Sequence, residues 1–363
     1  MLLKEVTEGA TRLLTPDLSK YKRIYDAPVF YNPEMAEDRS LSVALASAYF
    51  HGREGVEAAD AMCGLGARAL RYSKECGFKV IANDVQPSAI EIAKKNAALN
   101  GVDVATENKE ANVFLCGHKH WFHLVDVDPF GSPAPFVSSA VVSLKAVGSL
   151  LCITATDTGA LSGAYPRACY RKYGIIAQKT SFAAELGVRN LVAFAFREAS
   201  AHDISLRPLF GYARLHYFRV FLELMGGKKA GNRASVENVG FIGYCPKCDD
   251  RKVMAVLGGV DLNCTCGSKM MLLGPTWTGK LGDGKFLEGV AHPIAAKASG
   301  EVDIPGISID LHVLAKKKHG LCPKRDTLIE KLQEDGYRAV PSMFVSSGIR
   351  TNAPFETVAK LFK

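Results

Sequence analysis

Val56-Glu57-Ala58-Ala59-Asp60-Ala61-Met62, then Cys63-Gly64-Leu65-Gly66, then Ala67 to Cys76 reads as strand, glycine turn and helix. That is the opening unit of a parallel sheet with crossover helices. Working outward, Lys79-Val80-Ile81-Ala82-Asn83-Asp84 is the second strand. Pro87 opens a helix that runs to Asn100 and stops at Gly101, because proline suits a first helical turn and glycine the residue past the last. Val102 to Thr106, Phe122 to Asp128 and Leu150 to Thr154 follow as strands three to five, a helix covers Ala183 to Ser200, and the aromatic, β-branched stretch Leu209 to Leu224 supplies the last strands. The pattern predicts an α/β fold with a mostly parallel sheet.

At 363 residues the chain exceeds one ordinary core, so two domains are expected. The Gly- and Lys-rich junction Gly226 to Arg233 is the best boundary, dividing a domain of residues 1–225 from one of 226–363. Residues 1–50, with many aromatic, Pro and charged residues and a weak period, look like an embellishment on the core. A 48% hydrophobic and 23% charged composition excludes pervasive disorder, and a net charge of +8 permits a polyanionic partner without naming one. Acidic residues interrupt the N-terminal stretch where a signal peptide needs an apolar run, which points to a cytoplasmic protein. The apolar stretch Pro133 to Thr156 is broken by Lys145 and Gly148, so it reads as helix, turn and buried strand, and no membrane partner is expected.

In an open parallel sheet a ligand sits beyond the carboxyl ends of the strands, where strand order reverses. Gly64 and Gly66 lie there and let backbone approach a ligand closely. Asp84, ending the second strand, suits an adenosine ribose, and a nicotinamide dinucleotide would ask the same of it. Ala69 stands where the third glycine of a pyrophosphate turn belongs, which favours S-adenosylmethionine, a cofactor without phosphate. Glu110-Ala111-Asn112 after the third strand offers acceptors for an adenine amine. A solvated βα turn is the alternative reading of all these residues.

Asp126-Val127-Asp128-Pro129-Phe130-Gly131-Ser132-Pro133 ends the fourth strand. Pro129 fixes its own φ and holds Asp128 extended, giving a rigid platform. The exocyclic amine of a base is a poor nucleophile, since its lone pair is delocalised into the ring. Asp128 can accept its hydrogens and aim the lone pair, while Phe130 stacks the base. Asp126 shares the face of Asp128 and is a candidate second carboxylate. The plainer alternative is a strand-to-loop turn capped by an Asp.

Of ten cysteines, Cys245, Cys248, Cys264 and Cys266 cluster as C-x2-C and C-x-C pairs that enclose fifteen residues, resembling a zinc ribbon; reduced thiols are the alternative. The other six sit mostly among apolar residues, as small core filler.

The Asp-Pro-Phe-Gly-Ser-Pro run resembles the tRNA guanine-26 N2-dimethyltransferase family, together with Val29-Phe30-Tyr31-Asn32-Pro33-Glu34-Met35, Thr7-Glu8-Gly9, Gly274-Pro275-Thr276-Trp277-Thr278-Gly279 and Gly348-Ile349-Arg350-Thr351-Asn352-Ala353-Pro354. The resemblance spans nearly the whole chain. It implies a class I methyltransferase (Rossmann-like) sheet with a smaller α+β C-terminal domain that binds tRNA; a monomer is expected, though the sequence itself does not show the oligomeric state. The resemblance further implies that Arg39, Arg68, Asp84, Glu110 and Ala111 contact S-adenosylmethionine, that Phe30 and Asn32 close over it or the base, and that Arg39 or Arg68 pairs with the methionine carboxylate. Glu37-Asp38-Arg39-Ser40 departs from the Asn-Arg-Asp expected of the family, and Met343 to Ser347 departs at an expected tRNA contact. Lys20-Tyr21-Lys22-Arg23, Lys228-Lys229 and Lys316-Lys317-Lys318-His319 are candidate phosphate contacts, and Asp326 to Gly336 reads as a capped amphipathic helix before a strand over Tyr337 to Val345. A non-catalytic RNA-binding protein on the same fold is the competing class. A dehydrogenase is disfavoured by the absent glycine.

Overall fold

The computed structural model describes residues 2–362. The chain divides into two compact units, one holding the residues through Pro129 with Pro135–Ile153 and Gly289–Ala295, the other Phe130–Ala134, Thr154–Glu288 and the residues from Ala296 onward.

The first unit opens with a hairpin of β1 (Leu3–Glu8) and β2 (Thr11–Pro16), followed by α1 (Ala36–Tyr49). The expected embellishment is therefore tied to the core: Leu14 N donates to Asn96 Oδ1 at 2.7 Å and Arg12 N to Asn100 Oδ1 at 2.9 Å. The alternating layer comprises β3 (Glu57–Asp60), α2 (Ala67–Cys76), β4 (Lys79–Asn83), α3 (Pro87–Asn100), β5 (Val104–Glu107), α4 (Ala111–Gly117), β6 (Leu124–Val127), α5 (Val137–Ser143) and β7 (Leu150–Ala155). The order is β5-β4-β3-β6-β7 with every pair parallel, which bears out the α/β reading. β6 and β7 are buried throughout, as mostly apolar strands covered on both faces should be, with Asp126 the one charged residue among them. α3 begins and ends where proline and glycine placed it, with Gly101 in the left-handed region at φ 62°. After β5 the chain returns beside β3, so strand order reverses between β3 and β6.

In the second unit, α6 (Thr158–Leu161), α7 (Pro166–Tyr173) and α8 (Ala183–Ser200) precede an antiparallel pair, β8 (Ser205–Arg214) and β9 (Tyr217–Gly226). The stretch Gly226 to Arg233, read as the best boundary, runs from the end of β9 into a helix. Lys228–Asn238 forms α9, with glycines just outside its start and an Arg233–Glu237 pair at 2.8 Å one turn apart. β10 (Val239–Tyr244), β11 (Arg251–Ala255) and β12 (Met271–Trp277) make a three-stranded sheet in the order β11-β10-β12.

Beyond α10 (Gly284–Glu288) and α11 (Pro293–Val302) come β13 (Ile309–Asp310), α12 (Leu311–Lys318), α13 (Arg325–Glu334), β14 (Ala339–Pro341), β15 (Gly348–Thr351) and α14 (Phe355–Ala359). Leu314, Leu328, Leu332, Ile349 and Val358 form the small core here, each burial stabilising by about 1.5–3 kcal/mol. α13 starts at Lys324 without the side-chain cap expected of it. The strand expected over Tyr337 to Val345 is only Ala339–Pro341, because the chain turns back and Ser342 N donates to Gly348 O at 3.0 Å. No helix among the described residues is long and apolar enough to cross a membrane.

Candidate cofactor and base-binding site

The reversal between β3 and β6 brings the loop after β3 and the loop after β6 to one edge of the first unit, with Asp60 opposite Asp126 in parallel register. Gly64 (φ 55°) and Gly66 (φ 85°) form the turn after β3, both in the region that favours glycine. Asp84 Oδ2 accepts from Gly64 N at 2.9 Å and Oδ1 from Gln86 N at 2.9 Å, so this carboxylate sets the turn's shape as well as standing at its rim. Asn96, buried on α3, donates to Leu65 O at 3.0 Å and fixes the turn from below. The carbonyl of Phe30 lies 3.4 Å from where a Cβ on Gly64 would sit, which brings that segment to the same turn. The Phe30 ring stacks on Tyr25 at 5.5 Å. Asn32 caps the short helical turn at Pro33–Met35 by accepting from Glu34 N.

Glu110 caps α4, accepting from Asn112 N at 2.9 Å and Val113 N at 3.1 Å, and the buried Ala111 follows it. Val85 and Val113 stand on the loops after β4 and on α4, 63% and 61% exposed. Exposed apolar side chains on the segments that follow the paired strands β4 and β5, which also carry Asp84 and Glu110, suit a flat, amine-bearing ring. Sequence reading missed both valines, although Val85 lies just beyond a strand end and Val113 in the first turn of the helix that Glu110 caps.

Arg68 is the centre of the charged cluster. Its Nη1 bonds both oxygens of Asp126 at 3.1 Å, and Nη2 reaches Asp38 Oδ2 at 3.0 Å and Asp128 Oδ2 at 2.6 Å. Tyr72 donates to Asp126 Oδ2 at 2.9 Å. Asp126, read as a candidate second carboxylate, is fully buried beneath the guanidinium and anchors it. Asp128 is 27% exposed, with one oxygen tethered. Burial, then the charge of Asp126, raises the Asp60 carboxyl to about 7 against the opposing pull of Arg68. The sequence reading took Asp60 only as strand, though an acid four residues before Gly64 was visible. One guanidinium against Asp38, Asp126 and Asp128 leaves this edge net negative, which suits a cationic ligand.

Arg39 is also satisfied within the protein. Its Nε and Nη2 donate to the Glu8 carboxylate at 2.6 Å each, Nη2 also reaches Asn32 O at 3.1 Å, and the guanidinium lies 5.2 Å over Tyr31. Burial would raise the Glu8 carboxyl, but Arg39 and Arg71 outweigh it and the net shift is downward. A Cβ on Gly9, in its left-handed conformation, would fall 2.5 Å from Glu75 Oε1 and 2.6 Å from Arg71 Nη2. The Thr7-Glu8-Gly9 block is therefore a brace under α1 and α2.

In the second unit, Phe130 is 67% exposed. Gly131 N donates to Thr156 Oγ1 at 2.6 Å, and Thr156 N returns a bond to Gly131 O at 2.9 Å. Ser132 Oγ meets Tyr173 Oη at 2.7 Å; Tyr173 donates to Asp157 Oδ1 at 2.7 Å, and Lys172 Nζ holds Asp157 Oδ2 at 2.8 Å. This chain of bonds locks the turn from the side of α7. The sequence alone could not join residues forty positions apart.

The Cys245–Asp250 turn and the Cys264–Ser268 turn each close on themselves by backbone bonds, and their four thiols lie within 4.8 Å of one another. Cys245 and Cys266 are 3.6 Å apart at sulfur, Cys248 and Cys264 3.4 Å. Tetrahedral zinc with Zn–S near 2.3 Å needs sulfurs about 3.8 Å apart, so the set fits that ion despite the one-residue spacing of its second pair.

The family blocks near the end of the chain are buried structure. Arg350 pairs with Glu185 at 2.9 Å and Glu301 at 2.9 Å, and Arg189 donates to the carbonyls of Trp277, Gly279 and Gly306. Thr276 donates to Asn190 Oδ1 at 2.7 Å. Met343 N, in the segment expected at tRNA, bonds Glu301. Lys20, Lys22, Arg23, Lys228, Lys229, Lys316 and Lys318 are exposed, with Arg23 paired to Asp26 at 2.9 Å.

The family described as N2,N2-dimethylguanosine tRNA methyltransferase matches residues 9–363. A relative from Methanosphaera stadtmanae, named tRNA (guanine(26)-N(2))-dimethyltransferase, is 35% identical over 98% of this chain and 95% of its own. One of the same name from Pyrobaculum islandicum is 35% identical over 98% and 97%. The solved structure of Trm1 from Pyrococcus horikoshii with S-adenosyl-L-methionine superposes with a TM-score of 0.89, at 28% identity, over 99% of this chain and all of that one. The chain belongs to the N2,N2-dimethylguanosine tRNA methyltransferase family.

Proposed function

We propose that this chain methylates the exocyclic N2 of guanosine 26 in tRNA, twice, with S-adenosylmethionine as donor and the base held at the Asp128-Pro129-Phe130-Gly131 turn. The observation that carries the reading is Asp128: a part-exposed carboxylate at the end of β6, tethered by Arg68 at 2.6 Å, on the same sheet edge as the glycine turn and Asp84. When bound, the cofactor supplies an electrophilic sulfonium methyl. Everything else falls to this chain's residues.

Asp84 accepts from the ribose hydroxyls with its remaining lone pairs, and Glu110 with the backbone of Ala111 receives the adenine amine between Val85 and Val113. Gly64 and Gly66 let the cofactor approach the backbone. Phe30 and Asn32 close over it. The surplus negative charge around Arg68 favours a cationic sulfonium. Arg68 and Arg39 already satisfy protein carboxylates, so either reaches the methionine carboxylate only by exchanging a bond it holds here, and their standing role is to aim Asp128 and brace the wall.

Asp128 accepts hydrogens of the guanine amine, which strengthens the lone pair's approach and gives the departing proton a destination. Phe130 stacks the extruded base and Pro129 keeps the carboxylate extended. Residues 1–225 carry this chemistry, and 226–363 bind tRNA around a zinc ion held by the four cysteines, in a protein working as a cytoplasmic monomer. Incubating the protein with methyl-labelled cofactor and tRNA tests the reading. Label in the RNA, lost in Asp128→Ala, is the expected result, and full label in that variant would leave the turn without its assigned role.

A further inference from the structure

From Thr158 to Ala184 the chain has no acidic residue but contains Arg167, Arg171, Lys172 and Lys179. α7 sorts them by face. Cys169 and Tyr173 are fully buried, whereas Arg167, Tyr170 and Arg171, at i, i+3 and i+4, line the exposed side. Tyr165, preceding the helix, is 68% exposed and Tyr170 65%. Lys172 is committed to Asp157, but no described carboxylate pairs with Arg167, Arg171 or Lys179. The helix stands on a firm base, since Arg197 Nη2 donates to Tyr173 O at 2.8 Å and the Tyr173 hydroxyl ties α7 to Ser132, two residues from Phe130.

Two exposed phenol rings interleaved with unpaired cations are what unstacked RNA requires: a π-face for each base and a positive charge for each phosphate. An extruded base leaves neighbours with an open stacking face, and the nearest protein must supply a replacement. We propose that the exposed face of α7 grips the nucleotides flanking the target, with Tyr165 and Tyr170 stacking their bases and Arg167 and Arg171 taking their phosphates. The inference rests on the reading that the Asp128 turn holds an RNA base.

Full-length Tyr165→Leu/Tyr170→Leu and Arg167→Gln/Arg171→Gln variants test it, with tRNA affinity measured across a salt series. Each tyrosine is expected to matter by roughly fivefold or more, and loss of two phosphate contacts on an unstacked strand should flatten the slope of log affinity against log salt by about 1.4. A 2-aminopurine next to the target guanosine should be quenched on binding by the native protein and not by the tyrosine variant. Unchanged cofactor affinity shows that each variant is folded. Unchanged tRNA affinity and slope in both variants overturns the grip, and so does a charge effect without a tyrosine effect, which marks a plain cationic surface. If native protein transfers methyl to tRNA while the variants bind it normally, only the grip fails; if native protein transfers none, the reading beneath it fails.

Discussion

Replacing Tyr173 with Phe removes one hydroxyl and little else. The ring keeps its edge contact with Phe194, at 5.1 Å between centroids, so the core loses no volume. Gone are the bond donated to Asp157 and the one shared with Ser132, each 2.7 Å long. A neutral bond contributes about 0.5–1.5 kcal/mol and one to a charged group about 1.5–3, so the loss should be about 2–4.5 kcal/mol. Asp157 keeps Lys172, and Gly131 keeps both bonds to Thr156, so the turn stays closed but slackens on its Ser132 side. Misplacing a reacting group by about 1 Å can cost a hundredfold in rate, so kcat should fall roughly 10- to 100-fold while KM for tRNA moves by less than about threefold. Denaturant midpoints and steady-state methyl transfer check the two halves. An unchanged kcat beside the expected loss of stability would refute the positioning role and leave Tyr173 as structure only.

Arg350→Met should cost about 3–5 kcal/mol in a urea titration, because Glu185 and Glu301, at 0% and 2% exposure, lose their shared partner; a loss under about 1 kcal/mol would contradict this. Asp60 titrates at about 7 when folded and near 3.9 when unfolded, so the native state holds the extra proton between those values and stability falls as pH rises through that window. Asp60→Asn should remove that decline, worth up to roughly 4 kcal/mol, and a pH profile parallel to the native one would count against the assignment. Native protein should carry one zinc per chain by metal analysis, and Cys264→Ser should lose it together with stability of the β10–β12 sheet. Metal-free native protein of undiminished stability would remove zinc from the account.

Local signals reached as far as local causes do. α3 and α8 fell where the sequence placed them, because Pro87, Gly101 and long apolar periodicity act within a few residues. α9 hid in a glycine- and lysine-rich stretch because its glycines lie mostly outside the helix. Asp128 and the glycine turn were legible since they sit at strand ends. The roles of Asp126 and Asp60 were not, because they depend on the parallel register that sets β3 beside β6. Blocks such as Gly348 to Pro354 signalled kinship correctly but not their work: Arg350 and Glu185 meet across a sequence separation that no local pattern reveals.

Nucleoside mass spectrometry with site mapping tests the central claim most directly, using one tRNA with guanosine at position 26 and the same tRNA with inosine there, which lacks the exocyclic amine. The account predicts N2,N2-dimethylguanosine at position 26 of the first and no methylation at that position of the second. Methyl groups on the inosine, or no modification of position 26 while cofactor is bound, would contradict it.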